Sequence, residues 1–497
     1  MLFNSHIFLF AFLPVCLVVF FQLGSRGKHE AALTWLVFAS LFFYGWWNPT
    51  YLALIGLSIV ANFQLGKWIS RARGRHQGKA LLLLGIAFNL GLLFYFKYAN
   101  FFVDSANYLF DAGWVLDRIV LPLAISFFTF QQIAYLVDAW QDETHEYNFL
   151  HYCLFVTFFP QLIAGPIVHH KEMLDQFARP DVFRPVARNL SVGTTIFCIG
   201  LFKKVVLADS LAPYATSVFA VADQGGNVLF LDAWAGLLAY TFQLYFDFSG
   251  YSDMAIGLAR LFGIKLPMNF NSPYKALNMA DLWRRWHMTL TRFLTQYVYI
   301  TAGGSRRGFP RYIFNLWLTM FLAGVWHGAG ANYVVFGVIQ GSYMAIHGLW
   351  RTYKHKLPVT LPAHVARILS WAFTFLLWTL ALAIFRAGTL EGGIEILSSV
   401  LGANGMELSS NAQLITSDKI VPWLVISAII IWLMPNTQEL MSAHDPVIEK
   451  IEWQPRWRWQ AALLWQPTRR NAVISAGLLV AALLLLDRAS EFLYFQF

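Results

Sequence analysis

Two Trp-His doublets, Trp286-His287 and Trp326-His327, stand forty residues apart in a chain that is otherwise strongly apolar. The second lies in Thr319-Met320-Phe321-Leu322-Ala323-Gly324-Val325-Trp326-His327-Gly328-Ala329-Gly330, a stretch where an ionisable group is costly. Such groups inside bilayer spans are rare and face a cavity or the bundle interior. A neutral imidazole accepts a proton near neutral pH, which a general base must do. His327 is therefore the first candidate catalytic residue and His287 the second. A histidine bonded to a neighbouring helix without chemical role fits the same composition. The adjoining Trp326, and Gly324, Gly328 and Gly330, which allow close backbone approach, favour chemistry.

Two further clusters carry polar groups. In Gln243-Leu244-Tyr245-Phe246-Asp247-Phe248-Ser249-Gly250-Tyr251-Ser252-Asp253, helical spacing puts Asp247 with Tyr251 on one face and Tyr245 with Ser249 on another. Gly250 is expected to interrupt the helix. Asp247 and Asp253 could orient an imidazole, hold an arginine or bind a substrate hydroxyl, and they could equally satisfy other buried polar groups across helices. The stretch Asn278 to Leu290 reads as one amphipathic helix at the cytoplasmic interface, with Asp281 and Arg285 paired at i,i+4 and Trp283 sharing a face with His287. Arg284 and Arg285 beside Trp283 and Trp286 suit a phosphate-bearing ligand with an adenine ring, or lipid headgroups. His169-His170, His287, His327 and His347 lack the spacing of a metal site, so no metal is expected.

The elements that must hold these residues are transmembrane helices. Of 497 residues, 58% are hydrophobic and 13% charged, and mean hydropathy is +0.52, the signature of an all-α polytopic membrane protein. The net charge of +9 falls in loops between apolar segments, which argues for basic loops on one side of a membrane and against nucleic-acid binding. Cys16, Cys153 and Cys198 all lie in apolar runs, so disulfides and thiol chemistry are not expected. The first apolar segment lacks a basic leader and a cleavage site and reads as a retained span. Apolar stretches near 3–22, 31–47, 49–67, 80–96, 119–138, 148–168, 189–208, 228–246, 312–328, 331–350, 364–386, 420–434 and 472–486 could each enter the bilayer.

Loop charge orients them. Lys67, Arg71, Arg73, Arg75 and Lys79 put the 67–79 loop in the cytoplasm and the N-terminus outside. The 139–147 loop also falls in the cytoplasm although its charges are acidic. The 260–311 stretch has nine Lys/Arg against Asp281 alone and is cytoplasmic. Segment 148–168 has both ends on that side and is broken at Pro160-Gln161-Leu162-Ile163-Ala164-Gly165-Pro166, so it is expected to be re-entrant. The result is about 11–12 crossings plus a re-entrant segment in one membrane domain, with N-terminal helices over 1–147, a core over 148–350 and C-terminal helices over 351–497.

At these residues the chain resembles the membrane-bound O-acyltransferase family, most of all its bacterial members that acetylate alginate. The resemblance runs nearly end to end, through Ser40–Pro49, Phe96-Lys97-Tyr98-Ala99-Asn100-Phe101, Phe159–Ile167, the Tyr245–Asp253 cluster, Trp283–His287, Trp326-His327-Gly328-Ala329, Pro435–Glu439 and the terminal Phe492–Phe497. It implies tilted helices around a central tunnel pinched at the family histidine, which His327 matches, with His287 matching a second histidine on the cytoplasmic side. Trp283, Arg284, Arg285, Trp286 and Trp326, with Gln243, Tyr245, Asp247, Ser249, Tyr251 and Asp253, become candidates for binding the donor or lining the tunnel. The chain departs from the family where the Trp-His-Gly-Ala motif continues as Gly330-Ala331-Asn332-Tyr333, which bears on the acceptor side.

Topology and resemblance together imply a bacterial inner-membrane enzyme. Acetyl-CoA serves as a donor substrate, with no permanently bound cofactor, and acetyl is carried to a periplasmic acceptor for O-acetylation of an alginate-like exopolysaccharide, directly or through a periplasmic SGNH-type acetyltransferase partner. An acetyl-histidine intermediate is the second choice after general-base catalysis. Acetylation of cellulose or peptidoglycan and D-alanylation of teichoic acid are rivals within the class. A glycan or acyl transporter is the rival outside it, but it predicts inverted repeats that are not evident here. A scaffold for a polysaccharide synthase would leave His327 without a reason.

Overall fold

In a computed structural model, residues 1–143, 148–356, 361–406, 417–487 and 493 are described. Among them there are helices and no strands, as expected where backbone polar groups must be satisfied without water. Among the described residues, five helical runs are long and apolar enough to cross a bilayer alone: Phe8–Ser25, Tyr51–Arg71, His76–Phe110, Ala187–Asp223 and Ala363–Arg386. The chain is an all-α, multi-pass membrane protein. The terminal motif at Phe492 and Tyr494–Phe497 lies outside the described residues.

The interrupted segment is built as its proline requires. Helix Phe149–Thr157 stops, a single turn covers Phe159–Leu162, and extended backbone leads to His170–Phe177. This irregular stretch is buried, and its polar groups find partners inside the protein. Phe159 N donates to Ser40 Oγ (3.1 Å), Gln161 Nε2 to Phe155 O (2.7 Å) and Ile167 N to Thr289 Oγ1 (3.0 Å).

Two expectations about helices fail. Gly250 does not interrupt anything, because Phe230–Leu261 is one continuous helix of 32 residues. A side chain at Gly250 would meet the Gly200 carbonyl at 2.8 Å, and one at Gly257 the Gly193 carbonyl at 2.7 Å. These glycines let the helix Ala187–Phe202 lie against the long helix backbone to backbone. Second, 278–290 is two short helices, Met279–Trp283 and Met288–Leu294, broken by His287 in left-handed conformation (φ 44°, ψ 52°). It is no interfacial anchor, since Trp283 and Trp286 are each 3% exposed.

The basic segments share one face through a chain of contacts. Arg73 pairs with Asp142, Glu143 with Lys171 (3.3 Å) and Glu172 with Arg292 (2.6 Å). Gln176 and Glu449 bind the backbone of the 265–268 segment. The acidic 139–143 turn thus belongs with the basic loops because its carboxylates neutralise them. Tyr44, Tyr51 and the 120–126 segment come together elsewhere, through Tyr44 Oη to Leu123 O (3.0 Å) and Tyr51 Oη to Val120 O (2.7 Å).

Candidate active site

His327 ends the helix Phe309–His327 and is 8% exposed. Its Nδ1 lies 2.6 Å from the Ala323 carbonyl one turn back. A carbonyl only accepts, so Nδ1 carries the hydrogen and Nε2 keeps its lone pair. The helix is held by the following one, Ala331–Tyr353. Gly324 sits against the backbone of Gly337, and a side chain at Gly341 would meet the Trp317 carbonyl at 2.7 Å. Phe385 (5.3 Å) and Phe336 (6.2 Å) meet the imidazole edge to face.

His287 is fully buried, and neither ring nitrogen has a hydrogen-bond partner among the described residues. Its backbone turn is fixed by Asn269. The Asn269 carbonyl accepts from Met288 N (2.9 Å), and its side-chain oxygen accepts from Thr289 Oγ1 (2.9 Å). A non-glycine residue held left-handed stores strain of about 1–3 kcal/mol and persists only where its surroundings impose it. Phe248 packs edge-on at 4.8 Å. The Trp326 ring lies 5.9 Å from His287 and 5.2 Å from His327, so it packs against both imidazoles.

A cavity of about 30 Å3, room for a few atoms, is lined by His327, Trp283, Trp286 and Asp247, with Phe248, Phe336, Trp378 and Phe385. Trp283 Nε1 donates to Gln340 Oε1 (3.2 Å), and Trp286 packs on Trp378 (5.1 Å). Asp247 reaches this cavity already paired, because Lys204 Nζ bridges Asp247 (2.6 Å) and Asp209 (2.7 Å).

The remainder of the 243–253 cluster is placed elsewhere. Asp253 is held by Lys203 (2.8 Å), Thr437 (2.6 Å) and Gln438 (2.7 Å). Tyr245 packs against Tyr274 and Tyr251 against Phe3. Gln243 and Ser249 are buried on the long helix and do not line the cavity. Asp253, Tyr245 and Tyr251 thus hold other segments of the chain, the structural one of the two alternatives open in the sequence for this cluster.

Two larger cavities flank the histidines. One, of about 600 Å3, opens beside Trp283 on the basic face and is lined by Arg284, Arg292 and Glu449. Arg284 is exposed there. Burial pushes the Glu449 carboxyl above the usual carboxylate range. Arg285 turns away to Asp281 (2.9 Å) and lines a separate polar pocket. The other, of about 640 Å3, is lined by Met1, Trp46, Trp47, Lys97 and the 121–127 segment. It touches the back of the site through Lys97, whose Nζ donates to the carbonyls of Trp326 (2.6 Å) and His327 (3.1 Å). Phe336, Gln340, Trp378 and Phe385 were not singled out from the sequence, and Lys97 entered only inside the Phe96–Phe101 motif, without a role. Only Lys97 left a signal, a lone cation in an apolar run.

The geometry is that of a buried histidine with Nδ1 committed to a backbone carbonyl, lining a small aromatic cavity in an all-helical membrane protein. The sequence profile of the membrane-bound O-acyltransferase family matches residues 114–385, and the chain belongs to that family as a multi-pass membrane acyltransferase. It is 43% identical over 434 residues to a peptidoglycan O-acetyltransferase of Helicobacter pylori, covering 82% of this chain and 81% of the relative. It is 36% identical over 505 residues, the whole of both chains, to a probable alginate O-acetylase of Pseudomonas putida. A teichoic acid D-alanyltransferase of Bacillus subtilis is 27% identical over 257 residues, 47% of this chain and 60% of that one.

Proposed function

We propose that this protein is an inner-membrane O-acetyltransferase that takes acetyl from acetyl-CoA at the basic, cytoplasmic face and delivers it to a hydroxyl acceptor outside, for acetylation of an alginate-like exopolysaccharide. The observation that carries the reading is the imidazole of His327, fixed by Ala323 with Nε2 free, in a cavity whose Trp283 also lines the basin holding Arg284 and Arg292. Exposed Arg284 suits the phosphates of the donor, and the narrow aromatic cavity suits a two-carbon acyl group.

In this mechanism Nε2 of His327 takes the proton of the acceptor hydroxyl as its oxygen forms a bond to the thioester carbon. The C–S bond then breaks, and the same proton returns to the sulfur to release the CoA thiol. The oxyanion formed between these steps needs a donor, for which a backbone N–H near Gly328 and a ring N–H of His287 are the two candidates. Holding donor and acceptor on either side of one imidazole replaces a bimolecular encounter with a positioned one. A periplasmic SGNH-type acetyltransferase is the expected relay to the polymer. The 43% identity to a peptidoglycan O-acetyltransferase supports a second reading, in which the acceptor is peptidoglycan.

The test is acetyl-CoA turnover by purified protein in nanodiscs, wild type against His327→Ala, with gel filtration as the folding check. The expected result is loss of all but a trace of activity in the variant. A monodisperse His327→Ala with full activity removes His327 from the chemistry. Ester-linked acetate on exopolysaccharide and on peptidoglycan, compared before and after deletion of the gene, decides between the acceptors.

A further inference from the structure

The helix that ends at His327 has its last carbonyls free of intrahelical partners, as every helix C-terminus does. Here they are taken by one short segment far away in sequence. Phe94–Tyr98 is a π-turn inside the run His76–Phe110, and such turns cluster at functional sites. It presents two consecutive side chains to three consecutive carbonyls. Tyr98 Oη donates to Val325 O (3.0 Å), and Lys97 Nζ donates to Trp326 O (2.6 Å) and His327 O (3.1 Å). Lys97 is 9% exposed, with Nζ 5.7 Å from the centre of the Trp326 ring.

A lysine buried in an apolar run is expensive unless its donors are used, and no carboxylate pairs with this one among the described residues. The negative end of the helix dipole is what it meets. The geometry points to Lys97 as a positioning residue, which with Tyr98 clamps the last turn of the His327 helix and so fixes where Nε2 stands relative to the reacting atoms. The imidazole is tied to Ala323, inside that same last turn. A shift of the turn therefore carries the imidazole with it. Trp326, which packs against both histidines, is held at its carbonyl by the same amine.

The effect on rate rests on His327 being the base, while the clamp itself does not, so two measurements on the full-length protein separate them. In steady-state kinetics, Lys97→Met lowers kcat by about 10²-fold, the scale of a 1 Å misplacement, with the KM for acetyl-CoA little changed. Tyr98→Phe lowers kcat several-fold in the same pattern and carries the test if Lys97→Met does not fold. Independently of turnover, the carbethoxylation rate of His327 by diethyl pyrocarbonate, followed by mass spectrometry against the exposed His6, rises several-fold in either variant. Folded variants with wild-type kcat and an unchanged His327 modification rate overturn the assignment. If wild type has no acetyl-CoA turnover yet His327 modification rises in the variants, the clamp stands and the acetyltransferase reading falls.

Discussion

The two histidines differ in what holds them, and the difference divides their roles. His327 has one nitrogen committed to Ala323 and one free, so its tautomer is set before any substrate arrives. His287 has a ring with no partner among the described residues and a backbone held in an unfavourable region. Replacing His287 separates these properties. Both His287→Ala and His287→Gly should lose about 10²–10³-fold in kcat, the scale of one missing oxyanion donor. His287→Gly, which accepts φ 44° without steric cost, should be the more stable of the two by about 1 kcal/mol. Thermal unfolding and turnover on the same preparations check this, and equal stability would mean the turn is not strained. His327 could be found from sequence because an imidazole in an apolar run has few cheap explanations. The role of Lys97 could not, since the carbonyls it serves are 229 and 230 residues away.

At the scale of elements, precision comes from glycine-mediated crossings, where one helix backbone rests on another. Gly324 faces Gly337 with no room for a side chain, whereas at Gly477 a Cβ would meet nothing within 4 Å. Gly324→Val should destabilise by about 1–3 kcal/mol or more through overpacking and should cost activity even where protein survives, because the crossing sets the height of His327. Gly477→Ala should be neutral. Melting temperature and monodisperse yield of the two variants measure the contrast. This scale also explains which expectations failed. Gly250 reads as a helix breaker in sequence because local propensity is all that is visible there, while its reason is the Gly200 carbonyl on another helix. The 278–290 segment has a helical pattern, but the Asn269 contacts that turn the chain at His287 are tertiary. The break at 158–166 was legible, since Pro160 and Pro166 each remove a backbone donor that a continuous helix through this segment would need.

For the whole molecule, function depends on which cavity faces which compartment. The basic loops gather on one face through the Arg73–Asp142, Lys171–Glu143 and Arg292–Glu172 pairs, and the basin with Arg284 lies among them. Positive loops remain in the cytoplasm, and acetyl-CoA is made there, so charge and the supply of the proposed donor favour the same orientation. The prediction is tested with single cysteines in a background lacking Cys16, Cys153 and Cys198. Arg75→Cys and Arg284→Cys should react with an impermeant maleimide only after spheroplasts are permeabilised. Val115→Cys, at a residue 94% exposed in the segment leading to the outer cavity, should react in intact spheroplasts. The reverse pattern would put the arginine-lined basin outside, where no acetyl-CoA exists, and the proposed donor route would fail even with His327 essential. The expected pattern would leave the proton on Nε2 only one direct course, from a hydroxyl arriving on the Lys97 side to a thiolate leaving on the Arg284 side.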